Sequence, residues 1–584
     1  MTYTTILIFL FIILSFSNFL YVKFNIENNQ SFFISCCIII IFTFLSFYLD
    51  KLYNLNTLDQ IFYFILFFSI LFFLYLIPKF SLILKENNFD FIIIFLIIFY
   101  FTKDRYYLDQ DEFRYWGVSL KELLLGLQPY NNFVHHPKGT SLFQYLLVFL
   151  NFKESFAIFA NNILLISGFF FMFYERKLLI FEKIFLFLIF YLLLNNLSFG
   201  FLSIYSDPIL ALFFSCLLKV VYLFFSKKKQ VNLFFFIFSI IFISLILINR
   251  ASPIYGLFIL ILVLFFSLKE NFNTKSFFLI VVFFLFALGF LNLIKYLLLG
   301  SYEPAVLAQN SIIFLKHSIF SKDFLTLFTS SIYFSNFGSI INGILSFFSL
   351  NYIFPSFQIP LFIYIFLFLL LFLSFNFKNK LSFFFFSISF ILIYSIVVFI
   401  LKFNIEKISI LALQRYIGIL VLSLYLFLLF VISYNYKKIH NNYIIIFFVF
   451  LLISVSPKKS VGFFMPDKVY YSDSKNNNFK INRTKIIQMI SNTNFDNLFL
   501  IHENDFSDVT NDNISGSHTF YYDIIKYEAY PRSVRVIEYN DFVKYIDFYR
   551  RVESEKYLFI FFEISDVKIK ELNFFTNYAV LRTY

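Results

Sequence analysis

Between residues 1 and 455 long apolar runs alternate with short polar breaks, a pattern that predicts about fourteen membrane-spanning helices of about 20 residues each. The runs fall at roughly 3–21, 32–49, 60–78, 90–102, 155–174, 180–198, 207–225, 231–249, 253–268, 276–298, 359–376, 382–401, 412–433 and 440–456. The run at 90–102 is short, and 331–354 adds a re-entrant or interfacial pair. The first run has neither a basic segment before it nor a small-residue cleavage site after it, so it is expected to remain as a helix. From Ser456 onward polar and apolar residues mix. Helix patterns at 481–490 and 541–552 there alternate with strand patterns at 497–502, 534–539 and 557–564. The expected fold class is mainly α: a polytopic α-helical membrane protein with a small C-terminal α/β extramembrane domain. Residues 1–455 form the multi-pass domain, and 456–584 form a soluble unit of ordinary domain size.

Composition removes the competing classes. Of 584 residues 60% are hydrophobic and 14% charged, whereas a soluble domain carries about 25% charged residues. One soluble core cannot hide that much apolar surface, because such cores stop growing near roughly 300 residues. Disordered, collagen-like, coiled-coil and disulfide-framework chains are excluded on the same grounds. The 100 Phe and 40 Tyr follow from AT-rich codon usage and carry no functional message. Cys36, Cys37 and Cys216 lie in apolar runs without metal-site spacing, which makes them buried thiols.

Charge placement orients the helices. The formal net charge is +12. Residues from Ser456 hold 17 basic and 17 acidic side chains, so the whole excess belongs to the first 455 residues. Seven alternate loops (21–31, 79–89, 175–183, 226–230, 268–276, 377–381 and 434–441) hold 15 Lys and Arg, including Lys227–Lys228–Lys229. Four short loops of opposite parity hold four: Lys51, Arg250, Lys402 and Lys407. Positive loops stay cytoplasmic, so the long loops 103–154 and 299–358 and the C-terminal unit are expected on the other side. A basic membrane region of this kind implies membrane lipids as its surroundings and no nucleic acid.

Candidate chemistry concentrates in the first long loop, which reads Asp109-Gln110-Asp111-Glu112-Phe113-Arg114-Tyr115-Trp116, then Gly126-Leu127-Gln128-Pro129-Tyr130, then His135-His136-Pro137-Lys138-Gly139. Asp111 and Glu112 open an amphipathic stretch, Phe113–Leu125, near whose N-terminus carboxylates are favourable. That stretch is expected to lie flat on the membrane with its apolar face towards lipid. The same topology places Asp207, Arg250 and Arg415 on the same face as this loop. Ionisable groups near hydrocarbon are costly and gather at polar cavities or partners.

The order of an Asp-Glu pair, an aromatic-rich helix, Gly-x-x-Pro-Tyr and His-Pro-x-Gly resembles the first external loop of the C-type (GT-C) integral membrane glycosyltransferases. That superfamily includes protein O-mannosyltransferases and lipid A aminoarabinose transferases. Asp111 and Glu112 match its catalytic acidic motif. His136-Pro137-Lys138-Gly139 resembles its His/Lys-Pro-Pro-x-Gly segment, with Lys138 where a second proline is common. Tyr205-Ser206-Asp207-Pro208 resembles its second acidic position, and Gln414-Arg415-Tyr416 an Arg-Tyr pair at the start of a late helix. The likeness covers roughly 90–270, more weakly 405–435, and three extra spans precede the acidic loop where many members have one.

The resemblance implies an inverting hexosyl- or pentosyltransferase in a bacterial inner membrane, acting in glycan biosynthesis at the cell envelope. It would move a sugar from a polyprenyl-phosphate donor to a glycan, lipid or protein acceptor on the periplasmic side. Asp111 and Glu112 would be catalytic. Arg415, Arg250, Asp207, His136, Lys138 and Tyr416 would bind the donor phosphate or substrate. Arginine suits a leaving phosphate because it makes charge-assisted bidentate contacts that lysine does not reproduce. An acceptor hydroxyl needs a carboxylate in hydrogen-bond reach. No cofactor is required; Mg or Mn on Asp111 and Asp207 is compatible with the chemistry.

Plainer roles compete at each position. Asp111 and Asp207 suit helix starts, where carboxylates cap backbone amides. Glu112 suits an ion pair, and Arg415 or Arg250 a snorkelling interfacial arginine. His135 and His136 suit loop hydrogen bonding, and Glu303, His317 and Asp323 of the second long loop would at most shape an acceptor site. The alternative function is a polytopic transporter or lipid-linked oligosaccharide flippase, which about fourteen spans also suit. An O-antigen ligase or polymerase would centre arginines on a late external loop, and 299–358 has none.

Overall fold

The computed structural model describes residues 2–53, 57–79, 86–107, 112–126, 139–173, 180–197, 200–226, 261–262, 265, 369, 383–391, 410–434, 483–484, 487–488, 490–491, 497–502, 524–538, 557–562, 570–575 and 578–583. These residues are mainly helical. Five helices among them are long and apolar enough to cross a membrane, starting at Tyr3, Asn29, Thr57, Glu154 and Ile417. The expected spans at 231–249, 276–298 and 440–456 lie outside the described residues, as do nearly all of 253–268 and 359–376.

Contacts divide the chain into two units: Met1–Tyr106 with Phe133–Phe463, and Tyr107–Asn132 with Phe464–Tyr584. In the first, the helices are α1 (Thr2–Phe24), α2 (Asn28–Tyr53), α3 (Thr57–Leu76) and α4 (Glu86–Thr102). After them come α6 (Gly139–Val148), α7 (Glu154–Phe173), α8 (Ile180–Leu197), α9 (Asp207–Ser226) and α10 (Ile410–Tyr434). The helix α5 (Val118–Leu125) belongs to the second unit.

Helix α7 is the hub, in contact with α2, α4, α6, α8, α9 and α10. Its most apolar 18-residue stretch is wholly buried, whereas only 28% of that of α3 is. A helix apolar all round belongs in the middle of a bundle. Tyr63, Phe64, Phe67, Ile70 and Leu74 of α3 are instead exposed, as the lipid-facing side of a peripheral helix would be. Ring-on-ring packing joins several of the helices. Phe32 stacks on Phe91 at 4.1 Å, and both rings meet Phe170 of α7 edge-on.

Polar side chains tie the bundle together at a few points. Asn88 of α4 donates to Asn18 of α1 at 2.9 Å, and Lys183 of α8 pairs with Asp90 of α4 at 2.7 Å. Lys219 of α9 is fully buried and donates to the carbonyls of Phe171 and Met172 in the last turn of α7. Among the described residues those carbonyls have no partner within their own helix, and the lysine supplies one.

The second unit contains a five-stranded sheet of order β2-β1-β3-β4-β5, with β1 Asn497–His502, β2 Ser533–Glu538, β3 Tyr557–Phe562, β4 Lys570–Phe575 and β5 Tyr578–Thr583. The first three are parallel, with β1 in the middle; β3, β4 and β5 run antiparallel. Parallel neighbours need long crossovers. The one from β1 to β2 carries a short helix at 524–529, which returns to the region of α5.

Candidate functional site

Two of the acidic residues singled out in the sequence fall within the described residues, and each is buried in a different unit. Asp207 opens α9 and is 1% exposed. It is placed by a hydrogen-bonded seam running across three helices. Gln144 of α6 donates through Nε2 to Asn161 Oδ1 of α7 at 2.8 Å. Asn161 in turn donates through Nδ2 to the carbonyls of Tyr205 at 3.2 Å and Ser203 at 3.4 Å. Next to it, Asn162 donates to the carbonyl of Phe201 at 3.3 Å. The 200–206 segment is thus held down against α7, and α9 starts from it. The tight turn into this segment needs glycine: Gly200 has φ +53, and a Cβ there would stand 2.1 Å from Asn195 Oδ1. That oxygen already accepts from the Phe201 amide at 3.1 Å.

The seam is rich in acceptors. Asn161 Nδ2 faces two carbonyls, so its Oδ1 must face Gln144 Nε2, which turns Gln144 Oε1 away. Gln144 Oε1 and Asn162 Oδ1, with the hydroxyls of Thr140, Ser141 and Ser206, are buried with no hydrogen-bond partner among the described residues. Thr140 and Ser141 lie four and three positions before Gln144, on the same face of α6. A buried acceptor left unsatisfied costs about 1–3 kcal/mol, and each such group calls for an explanation.

Helix α10 brings Arg415 to the level of Asp207. Ser215 Oγ of α9 donates to Ser423 O of α10 at 2.7 Å. Further along both helices Tyr222 meets Phe430 at 5.9 Å and Tyr434 at 6.1 Å, so the two run in the same direction. Asp207 and Arg415 each lie eight residues before that serine contact, about 12 Å along each axis at about 1.5 Å per residue. Tyr416 follows in the same turn of α10.

Glu112 is 2% exposed and starts a π-helical turn, Glu112–Gly117, that runs into α5. Such turns interrupt helices mainly at functional positions. Phe113, Trp116, Leu120 and Leu123 are buried in protein, which corrects the expectation that the apolar face of Phe113–Leu125 lies on lipid. The cause is a partner surface that only the fold supplies. Tyr527, from the helix at 524–529, packs on Phe113 at 5.5 Å and on Tyr107 at 5.8 Å. Arg483 lies over the Phe113 ring at 5.0 Å and pairs with Glu528 at 2.7 Å. Lys121 of α5 donates to the Tyr527 carbonyl at 2.5 Å, with its ammonium 3.8 Å from that ring. Nearby, burial and the Glu122 carboxylate push the Tyr530 phenol up to about 12.

Asp111, His135, His136, Lys138, Arg250, Glu303, His317 and Asp323 lie outside the described residues. Among the described residues no three His, Cys, Asp or Glu side chains gather in a way that could hold a metal ion. The sequence reading missed Gln144, Asn161 and Asn162, although an Asn-Asn pair inside an apolar run was a visible signal. It also missed Tyr527, Arg483 and Lys121, for which the sequence carries no signal. No family model, curated protein or solved structure matches the chain.

Proposed function

We propose that the protein is a membrane glycosyltransferase that moves a hexose or pentose from a polyprenyl-phosphate donor to a glycan, lipid or protein acceptor, with inversion. The observation that carries this reading is the buried acceptor-rich seam beside Asp207. Amide and hydroxyl oxygens without donors suit a polyol, whose hydroxyls donate. The two amide oxygens, of Gln144 and Asn162, do not suit a phosphate, since both sides only accept, whereas the three hydroxyls donate as well as accept and suit either group. An arginine at the same level, Arg415 on α10, is the complementary group for that phosphate.

In this reading a carboxylate of the Asp111–Glu112 pair takes the proton of the acceptor hydroxyl as its oxygen bonds to the anomeric carbon. The carbon–oxygen bond to the phosphate breaks, and the phosphate leaves with the electron pair, its charge met by Arg415 and Arg250. The described part of the loop, 112–126, packs on the C-terminal unit, which supports placing both on one face of the membrane, the periplasmic one by the charge rule. About fourteen spans and an extramembrane α/β domain complete the proposed architecture.

The test is sugar transfer by the full chain reconstituted in liposomes with a polyprenyl-phosphate sugar. Asp111→Asn is expected to abolish transfer while membrane insertion stays intact; undiminished transfer in that variant rejects the mechanism. Movement of the lipid-linked sugar across the bilayer without transfer would identify a flippase instead.

A further inference from the structure

The C-terminal unit contributes more to the acidic loop than cover. Tyr527 is 1% exposed and its ring is wedged against both ends of the π-turn. At one end it packs on Phe113, next to Glu112. At the other, a Cβ on Gly117 would come within 2.7 Å of Tyr527 Cε2, 2.8 Å of the Glu112 carbonyl and 2.9 Å of Tyr107 Cε2. The ring, the turn and Tyr107 therefore close on one another with no space for a methyl group. Lys121 fixes the Tyr527 backbone one helical turn further along α5. The Arg483–Glu528 pair, both side chains about nine-tenths buried, braces the same helix from behind while the guanidinium covers Phe113.

We propose that Tyr527 is a positioning residue: its ring sets the π-turn Glu112–Gly117 and thereby the orientation of the Glu112 carboxylate, making the C-terminal unit an integral part of the acidic site. The packing stands by itself; its effect on turnover rests on the glycosyltransferase reading. A π-turn has poorer hydrogen-bond geometry than an α-turn and persists where its surroundings impose it. Here part of those surroundings, Arg483 and Tyr527, comes from more than 350 positions away in the chain.

Two measurements on the full-length protein separate the packing from the chemistry. In Tyr527→Ala, amide hydrogen exchange across 112–126 is expected to rise at least tenfold, with exchange in Glu154–Phe173 unchanged. Transfer kcat should fall at least tenfold with the donor KM within about twofold. Tyr527→Phe, which keeps the ring, should restore both. If Tyr527→Ala fails to fold, Lys121→Met serves as the milder variant, with a smaller rise in exchange over the same segment. Unchanged exchange across 112–126 overturns the clamp. Raised exchange with undiminished kcat overturns the positioning role. Raised exchange in a protein whose wild type transfers no sugar leaves the clamp standing and rejects the glycosyltransferase reading.

Discussion

Among the described residues several carboxylates are buried, and two of them, Asp207 and Glu112, are held by opposite means. Asp207 stands at the end of a seam of side-chain amides inside an apolar bundle, where Gln144, Asn161 and Asn162 fix the backbone of the preceding segment by directed hydrogen bonds. Glu112 stands at the start of a turn fixed by ring packing and one ion pair, through Tyr107, Phe113, Tyr527 and Arg483. The amide seam joins helices that are near neighbours in sequence, between residues 144 and 207. The aromatic joint links residues 107–126 to 483–530. A hydrogen bond in a dry bundle is strong and leaves an expensive orphan when cut, whereas a packed ring yields gradually as its neighbours relax.

That contrast can be broken first at Asn161. Asn161→Leu removes the donor for the Ser203 and Tyr205 carbonyls and the acceptor for Gln144, at about 1–3 kcal/mol for each orphaned group. A loss of about 3–5 kcal/mol is expected, read as a lower unfolding midpoint in detergent, and a loss under about 1 kcal/mol would show that the seam holds nothing. The next largest effect is at the joint. Arg483→Met strands Glu528 in a mostly buried site and should cost about 3 kcal/mol, at the low end for a broken buried pair. Raised exchange should stay within the second unit, and a loss in α7 as well would erase the distinction drawn between the two regions.

The smallest effect is a titration. Tyr530 is raised because its anion would be partly buried and close to Glu122. A phenol whose folded value exceeds its unfolded value, about 10, favours the folded state fully below pH 10. That contribution fades as the pH climbs from about 10 towards 12, because the unfolded chain gives up its proton first. Ultraviolet absorbance of phenolate in Glu122→Gln should show Tyr530 ionising at lower pH than in the wild type. An unmoved titration would remove Glu122 as a cause.

Much of the bundle was legible because the forces behind it are local to the sequence. The runs at 3–21, 60–78 and 155–174 are long enough to span a membrane in one direction only, and helices form there at Tyr3–Phe24, Thr57–Leu76 and Glu154–Phe173. The burial of Asp207 was less legible. Tyr205-Ser206-Asp207-Pro208 has the look of an ordinary helix start, and only Asn161 across the bundle shows that the segment is pinned inside. The stretch 113–125 was misjudged for a related reason. Its apolar periodicity is real, but periodicity says that a face is buried and not what buries it. Strands β4 and β5 gave no alternating signal, since a sequence such as Lys570-Glu571-Leu572-Asn573 becomes a strand through its neighbours.

What the sequence determined alone was where the chain must leave water: apolar length and the bias of Lys and Arg fix helices and expected sidedness, and both depend on free energies of transfer that act residue by residue. What the tertiary structure decided was which polar groups meet. Asn161 finds the carbonyls of residues 203 and 205 because α6, α7 and α9 pack together. Tyr527 reaches Phe113 because a helix between two parallel strands passes by it. Such meetings are set by helix packing and chain crossovers over tens to hundreds of residues, and no short window of sequence contains them.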